Sequence, residues 1–189
     1  MYSRLSKLLK EKNSSSTILE NQSGISNAAV LVLLHQHQNT DHILLTKRTE
    51  TVAQHKGQIC FPGGVRDKSD TDLWMTATRE TQEELGIAPE TISYIGALDP
   101  MITPTGFRVY PFIGALKSEL IVHPSPYEIA EVFSVPLSHL LDSKNMKLVK
   151  RYYTDEDPTF IYQHYEIWGV TGRILMQLTE MLKSLVAPC

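Results

Sequence analysis

A glycine pair followed by a helical segment dense in acidic residues constrains this chain more than any other feature. The pair closes Pro62-Gly63-Gly64, and the segment carries Glu80, Glu83 and Glu84 before Gly86. At about 3.6 residues per turn, Glu80 and Glu84 stack one turn apart with Glu83 beside them. The spacing therefore predicts a helix that ends at Gly86 and carries these carboxylates on one side.

Such crowding of carboxylates needs a positive partner. Like charges at this spacing destabilise a helix by about 0.2–0.5 kcal/mol per pair, and hard oxygen ligands suit Mg²⁺ or Mn²⁺. A solvated acidic helix face is the alternative. Two features favour the cation site: the glycines allow close backbone approach to a ligand, and Arg79 can hold Glu83 in a fixed pose.

The segment from Phe61 to Ile87 resembles the Nudix box, in which Gly is followed after five residues by Glu and after seven more by Arg-Glu-U-x-Glu-Glu-x-Gly-U, with U apolar. The second half of the pattern matches at Arg79, Glu80, Glu83, Glu84, Gly86 and Ile87, and Thr81 stands at the first U position. Counted forward from Gly64, the early Glu falls on Asp70; counted back from Arg79, it falls on Thr71. The loop is thus one residue longer than the pattern.

This resemblance implies an α/β protein with the Nudix fold, a mixed β-sheet sandwiched between helices. It implies Mg²⁺ or Mn²⁺ bound by Glu80, Glu83 and Glu84, with Arg79 supporting the catalytic Glu83. Nudix enzymes often place a further acid near the metals from outside the box. Glu128 and Glu131 are the candidates, and we favour Glu128 over Glu131, which is also read as a structural acid on a strand.

A second resemblance concerns the residues upstream of the box. Leu44-Leu45-Thr46-Lys47-Arg48, then Gly57, then Phe61-Pro62-Gly63-Gly64 is similar to the signature of the coenzyme A pyrophosphatases within the Nudix superfamily. The chain departs from that signature at Thr49, where the family has Ser or Ala, and at Ala53, where it has Arg. The resemblance implies substrate binding by Lys47, Arg48, Gly63 and Gly64, and Phe107 follows a loop that either closes over a nucleotide or serves as a hairpin connection.

The implied reaction is metal-dependent hydrolysis of a diphosphate linkage in a nucleoside diphosphate derivative. The resemblance implies coenzyme A or an acyl-coenzyme A as the first-choice substrate, which would be hydrolysed to 4′-phosphopantetheine species and adenosine 3′,5′-bisphosphate. The proton of the attacking water would pass to Glu83 or Glu128. The alternatives are an ADP-ribose or nucleoside-diphosphate-sugar pyrophosphatase and, in another class, a Nudix module that binds a nucleotide without cutting it.

The length and composition of the chain limit the number of domains and the kinds of binding partner that we expect. The chain has 189 residues and a net charge of −3, which predicts one domain and argues against broad nucleic-acid binding. We expect residues 1–24 to form an N-terminal helix and a flexible connection, and residues 25–189 to form a single Nudix domain. With two cysteines, Cys60 and Cys189, the chain cannot build a disulfide framework, so we expect a reducing, cytoplasmic setting. No signal peptide or membrane span is expected, and a homodimer is left open.

Further patterns predict the remaining elements. Helical spacing indicates an amphipathic helix from Tyr2 to Lys12, and a continuous apolar run predicts a strand over residues 28–34 that is buried on both faces. A polar turn at His35–Asn39 should follow, with His35, His37 and His42 on the surface. Near the C-terminus, we expect a β-hairpin around Asp155-Glu156-Asp157-Pro158 and a final helix after Trp168. Cys60 and Trp168 are interpreted as packed core residues.

Overall fold

The computed structural model describes residues 2–13, 25–50, 56–151 and 154–186. The helices are α1 (Tyr2–Asn13), α2 (Leu73–Leu85), α3 (Leu137–Leu141) and α4 (Gly169–Val186). The strands are β1 (Ser26–His37), β2 (Thr40–Arg48), β3 (Ile59–Cys60), β4 (Gly63–Val65), β5 (Ile92–Ala97), β6 (Met101–Ile102), β7 (Phe107–Leu116), β8 (Ile129–Pro136), β9 (Met146–Arg151), β10 (Thr154–Tyr162) and β11 (Tyr165–Ile167). The predicted flexible connection after α1 and the departure at Ala53 lie outside the described residues.

Strand β1 lies at the centre of the main sheet. Within the described ranges this sheet has eight strands, with β3, β2, β1, β7 and β5 in that order and with β8 on β2, β4 on β1 and β6 on β7. Strands β1 and β7 run parallel, whereas β1 and β2 are antiparallel, so the sheet is mixed. The predicted strand over residues 28–34 is confirmed within β1.

Helices cover both faces of the main sheet. Leu31 and Leu33 of β1 pack in one apolar cluster with Ala77 and Leu85 of α2. The alternate residues of β1, such as Val32, pack in a second cluster with α1 and α4 residues that include Leu5, Leu9, Ile174, Leu175, Leu178 and Leu182. Successive side chains of a strand point to opposite faces, so this pattern confirms the predicted sheet between helices. Among the helices of the described residues, none combines the length and apolarity needed to cross a bilayer.

The β1–β2 hairpin is tighter than predicted. Strand β1 continues to His37, and only Gln38 and Asn39 form the turn, with φ of 49° and 60°. A two-residue turn with positive φ at both positions matches the twist of the flanking strands. The prediction of surface histidines is wrong for His35 and His42, which are 3% and 8% exposed. Both residues belong to paired strands, and His35 Nε2 forms a hydrogen bond with Ser134 Oγ at 2.7 Å.

A second sheet follows β8 and α3. In the described residues it consists of β9, β10 and β11, with β10 in the middle. The predicted β-hairpin is confirmed by the antiparallel pair of β9 and β10, but its turn is not at Asp155–Pro158, because Asp157 and Pro158 lie within β10, opposite Val149 and Leu148. Acidic residues and proline favour turns locally, and tertiary contacts override that preference here. Here the Asp157 carboxylate is buried and accepts a hydrogen bond from Gly169 N at 3.0 Å, at the start of α4.

Candidate active site

Helix α2 has well-defined ends. The Asp72 side chain accepts a hydrogen bond from Met75 N at 2.7 Å and caps the N-terminus. Gly86 ends the helix with φ of 70° and donates its N–H to Gln82 O, in the left-handed conformation that glycine adopts at low cost. The predicted end of the helix at Gly86 is confirmed, and the helix is therefore held in a fixed register against β1 and β4.

Glu84 is the most deeply buried acid on α2. Its side chain is 2% exposed, and its two oxygens accept hydrogen bonds from Arg48 Nη1 at 3.1 Å and from Gly63 N at 3.2 Å. Burial disfavours the charged form and raises the pKa of Glu84 to about 7, although the Arg48 guanidinium opposes the shift. A nearby cation would therefore stabilise the charged form of the Glu84 carboxylate.

Glu80 lies one turn before Glu84 and against the glycine pair. A Cβ built on Gly64 would collide with the Glu80 carboxylate, and one built on Gly63 would collide with the Ala29 carbonyl. Gly63 also adopts φ of 152°. Burial raises the pKa of Glu80 as well. The glycines thus serve close packing within the protein: they bring β4 against the acidic face of α2.

Arg79 holds the acids of α2 to the preceding loop. Its guanidinium donates to Asp70 Oδ1 at 3.0 Å and Glu83 Oε2 at 3.0 Å, and lies 2.9 Å from Glu80 Oε1. The Asp70 side chain has no exposed surface, and the Arg79 hydrogen bonds lower the pKa of this carboxyl to about 2. Of the two positions that counting placed at the early Glu, only Asp70 puts a carboxylate into this network. The exposed Thr71 does not.

A cavity of about 630 Å³ opens beside these residues. Its acidic part is lined by Arg48, Glu80, Glu84 and Glu128, together with the glycine pair. Phe107 lines the cavity too, so the structure brings four of the predicted substrate-binding residues together with two of the predicted metal ligands. The cavity is the place where the predicted site residues meet.

Lys47, the remaining predicted substrate-binding residue, lies elsewhere. Adjacent residues of a strand point to opposite faces, so Arg48 faces the cavity, whereas Lys47 Nζ lies 2.8 Å from Glu131 Oε1. Glu131 also accepts a hydrogen bond from Tyr165 Oη at 2.6 Å, and these two donors lower the pKa of its carboxyl. Glu131 therefore has the structural role that was the alternative to a place near the metals. Glu128 lines the cavity, with its Oε2 atom 3.9 Å from Arg48 Nη2.

The donor set fits a hard divalent cation. Glu80, Glu84 and Glu128 line one cavity, and the negative charge of Glu128 contributes to the raised pKa of both Glu80 and Glu84. Glu83 is not among the residues that line the cavity; 59% of its side chain is exposed, and it pairs with Arg79. In the part of the chain that is described, no group of three or more His, Cys, Asp or Glu side chains is placed to hold a metal ion. Mg²⁺ is usually bound through one or two carboxylates, with waters and substrate phosphates completing its coordination.

Cys60 and Trp168 both line the cavity, and both were interpreted from the sequence as packed residues. The interpretation of Cys60 as a packed residue is supported, because burial raises the pKa of its thiol to about 11 and leaves it a poor nucleophile. The interpretation of Trp168 as core is wrong: its side chain is 38% exposed and lines the cavity. Sequence reasoning missed Trp168 because its role depends on where the second sheet packs, and no local pattern carries that information.

Comparisons with known proteins agree with this geometry. The NUDIX domain family model matches residues 26–156. A relative from Enterobacter sp. (strain 638), described as uncharacterized Nudix hydrolase NudL, is 38% identical over 154 residues, covering 80% of each chain. The NudL of Cronobacter sakazakii is 37% identical over 179 residues, covering 90% of this chain and 88% of the relative.

The fold is shared with a solved structure at low identity. The Nudix hydrolase RenU from M. Smegmatis is 17% identical, with 89% of this chain and 91% of RenU covered at a TM-score of 0.59. Nudix hydrolases act on diphosphate linkages of nucleotide derivatives and generally use divalent metal ions. The family match, the identity to the NudL relatives and the common fold together show that this chain belongs to the Nudix family of hydrolases.

Proposed function

We propose that this protein hydrolyses the diphosphate linkage of coenzyme A or an acyl-coenzyme A in the presence of Mg²⁺ or Mn²⁺. The products are 4′-phosphopantetheine or its acyl form and adenosine 3′,5′-bisphosphate. One observation carries the proposal: the buried Glu84, its neighbour Glu80 and the cation Arg48 line the same cavity as Glu128. Acids that repel one another beside a fixed guanidinium suit a site for cations and phosphates.

Glu80, Glu83 and Glu84 of α2 would hold the cation, and the neighbouring arginines hold these acids in place. When bound, Mg²⁺ or Mn²⁺ would neutralise phosphate oxygens and lower the pKa of a coordinated water. Arg79 fixes Glu80 and Glu83 through its ion pairs, and Arg48 fixes Glu84 and offers its remaining donors to a phosphate oxygen.

Glu128 is the proposed general base. It lines the cavity and is 48% exposed, so it can reach a water without first leaving a buried pair. In the reaction, the water oxygen bonds to one phosphorus, its proton passes to Glu128, and the bridging oxygen leaves with the other phosphate. Glu83 was the other candidate base, but it accepts a hydrogen bond from Arg79 and is not among the residues that line the cavity.

The substrate assignment rests on the signature residues around Arg48 and the glycine pair. Thr49, one departure from that signature, donates its hydroxyl to Tyr127 O at 3.0 Å and supports the loop that carries Glu128. The other departure, Ala53, removes a cation that would favour a phosphate-rich substrate. An ADP-ribose or nucleoside-diphosphate-sugar pyrophosphatase is therefore the second candidate.

A product panel tests the proposal. Purified protein is incubated with coenzyme A, acetyl-coenzyme A, ADP-ribose and UDP-glucose, with Mg²⁺, with Mn²⁺ and with EDTA, and the products are separated by chromatography. We expect adenosine 3′,5′-bisphosphate from the first two substrates, with metal only. Faster release of AMP from ADP-ribose would move the assignment to the second candidate. Calorimetric binding with no product from any substrate would indicate a binding module instead.

The base is tested separately. Glu128→Gln should lower kcat by roughly a hundredfold or more. The matched control is Glu131→Gln, whose carboxylate lies on Lys47 and Tyr165 outside the cavity. Equal activity in the two variants would remove Glu128 from the mechanism. The homodimer, the cytoplasmic setting and the domain boundary at residue 24 stay predictions.

A further inference from the structure

The segment between β7 and β8 carries the proposed general base, and we call its residues 123–128 the base loop. The base loop is attached to the end of α2 through two backbone hydrogen bonds. His123 N donates to Leu85 O at 2.7 Å, and Ser125 N donates to Glu84 O at 2.8 Å. The last carbonyls of a helix have no partner within it, so the base loop satisfies two of them and is fixed to the turn that carries Glu84.

The far end of the base loop is fixed as well. Ser125 O accepts hydrogen bonds from Glu128 N at 3.2 Å and from Ile129 N at 2.9 Å. Ile129 is 4% exposed and belongs to the apolar cluster that contains Leu85 of α2. Glu128 therefore lies between two anchored residues, while its own side chain is 48% exposed.

A register shift in the β2–β8 pair directs the base loop to the cavity side of the sheet. Lys47 pairs with Glu131 and Arg48 pairs with Ile129, so Ala130 is an extra residue on β8. Without it, Ile129 and Glu131 would point to the same face, because alternate residues of a strand share a face. The extra residue instead places Ile129 on the face of Arg48, in the way that β-bulges beside active sites re-aim a side chain.

Thr49, directly after β2, contacts the base loop from a third element. Its N–H donates to Glu128 O at 2.9 Å, and its hydroxyl donates to Tyr127 O at 3.0 Å. The preceding residue, Arg48, lies 3.1 Å from a Glu84 carboxylate oxygen and 3.9 Å from a Glu128 carboxylate oxygen. Consecutive residues of the chain therefore hold the backbone of the base loop and approach the side chain of the base.

The reaction depends more strongly on the position of Glu128 than the stability of the fold does. One hydroxyl hydrogen bond contributes little to global stability, whereas a general base must lie within about 2.6–3.2 Å of the group that donates the proton. A displacement of about 1 Å can lower a rate roughly a hundredfold. The Tyr127 side chain is 83% exposed, so packing of its ring adds little to the attachment of the loop.

We propose that Thr49 is a positioning residue for Glu128: its hydroxyl holds the base loop where the Glu128 carboxylate accepts the proton of the attacking water. The inference rests on the proposed function, because it takes Glu128 as the general base. It goes beyond that function by assigning a role to Thr49, which is not among the described residues that line the cavity. The role is the same for any diphosphate substrate that the site cleaves.

Thr49→Val tests the role of the hydroxyl, because it keeps the shape of the side chain and the backbone N–H. On the substrate identified by the product panel, kcat should fall by roughly fivefold or more, with KM within about twofold of its normal value. Thr49→Ser should restore most of kcat. The matched control is Thr40→Val, at the other end of β2, whose hydroxyl donates to His37 O at 2.8 Å and which should keep kcat. Unchanged kcat in Thr49→Val, or no restoration by serine, would overturn the inference.

A double substitution tests whether Thr49 acts through the base. In the Glu128→Gln protein, addition of Thr49→Val should change kcat by less than about 1.5-fold, because the group that Thr49 positions has already been removed. A further fall as large as the one in the unmodified background would show that Thr49 acts by another route, and it would overturn the inference.

Hydrogen exchange in EDTA separates this inference from the proposed function. In Thr49→Val, the amides of Glu128 and Ile129 should exchange at least about fivefold faster, whereas Thr49→Ser and Thr40→Val should keep their protection. Should the product panel show no cleavage, this loss would still support the attachment by Thr49 while the proposed function fails. Cleavage of coenzyme A by Thr49→Val at the normal rate, with normal protection, would leave the proposed function in place and reject the role of Thr49.

Discussion

At the residue scale, the site depends on a carboxylate in an unfavourable environment. Glu84 is almost fully buried, and Arg48 and Gly63 bind its two oxygens. In its charged form it has been removed from water, and the Arg48 guanidinium that pairs with it also lies 3.9 Å from Glu128, so a bound cation would add to its stabilisation. The substitution of this one residue should therefore affect activity and stability in opposite directions.

Glu84→Gln should lower kcat by roughly a hundredfold or more, because the amide cannot supply a charged ligand oxygen. Steady-state kinetics on the diphosphate substrate identified by the product panel measures the loss. The control is Glu90→Gln, in the 3₁₀ turn Pro89–Thr91 after α2, which should retain activity. Near-normal turnover in Glu84→Gln would argue against the whole site.

The same variant should be more stable than the unmodified protein at alkaline pH in EDTA. Burial raises the folded pKa of Glu84 from 4.5 to about 7, so the stability associated with its neutral form is complete below pH 4.5 and is lost as the pH rises through 7. Glutamine stays neutral, and the gain above pH 7 should be about 1–3 kcal/mol. Chemical denaturation at pH 4.5 and pH 8 measures it; a loss at pH 8 would mean that the Arg48 pair outweighs burial.

Gly64 provides a test of the contact between β4 and α2. Gly64→Ala places a Cβ where the Glu80 carboxylate lies, so Glu80 must leave its position and activity should fall by roughly tenfold or more. Gly106→Ala is the control, because a Cβ there meets open space and its φ of 84° adds only backbone strain. Full activity in Gly64→Ala would show that the position of Glu80 does not matter.

At the element scale, the loop before α2 is coupled to the helix through one buried ion pair. Asp70 accepts hydrogen bonds from Arg79, from the Thr76 hydroxyl at 2.9 Å and from Asp67 N at 2.9 Å. The loop is one residue longer than the family pattern and still places its carboxylate on Arg79. The extra residue is taken up in the Asp67–Asp70 turn, where Asp70 N donates to Asp67 O at 3.2 Å.

Asp70→Asn should destabilise the protein by about 2–4 kcal/mol at neutral pH, because it leaves the Arg79 charge without its buried partner. The folded pKa of Asp70 is lowered from 3.8 to about 2, so its stabilisation is present above pH 3.8 and is lost as the pH falls toward 2. Denaturation curves between pH 2 and pH 7 should show this slope in the unmodified protein and lose it in Asp70→Asn. Asp67→Asn, at an exposed site, should keep the part of the slope that Asp70 contributes.

At the scale of the whole molecule, the core extends beyond the Nudix box to both ends of the described chain. Leu5 and Leu9 of α1 are fully buried and share a cluster with α4 residues such as Leu178. A Cβ on Gly96 would lie 2.6 Å from Leu9 Cδ1, so β5 and α1 are in close contact. The N-terminal helix therefore completes this side of the core.

Leu9→Ala should lower the free energy of unfolding by about 2–4 kcal/mol through loss of buried surface and formation of a cavity. Activity per folded molecule should change less than twofold, because α1 contributes no residue to the cavity lining. Urea denaturation and kinetics on the same sample measure both. Leu8→Ala, at a half-buried position, should cost clearly less, and an equal cost would contradict the packing described here.

The local pattern of the sequence determined the elements that carry the chemistry. The spacing of Glu80 and Glu84 with Gly86 predicted helix α2 and its end, and the apolar run of β1 predicted a strand covered on both faces. Arg48, Gly64 and Phe107 line the cavity, but the sequence suggested them as substrate-binding residues only through a resemblance to known signatures and the position of Phe107 after a loop, and that role stays a prediction. The predictions of α2 and β1 succeeded because helix and strand periodicity act between residues that are close in the chain.

Only the tertiary structure decided which side chains are buried and which partners they have. The burial of His35 in the hairpin, the place of Asp157 inside β10 and the exposure of Trp168 all depend on how distant strands pack. The choice between Glu128 and Glu131 likewise depends on Lys47 and Tyr165. Burial and ion pairing join residues far apart in the chain, so no local pattern encodes them.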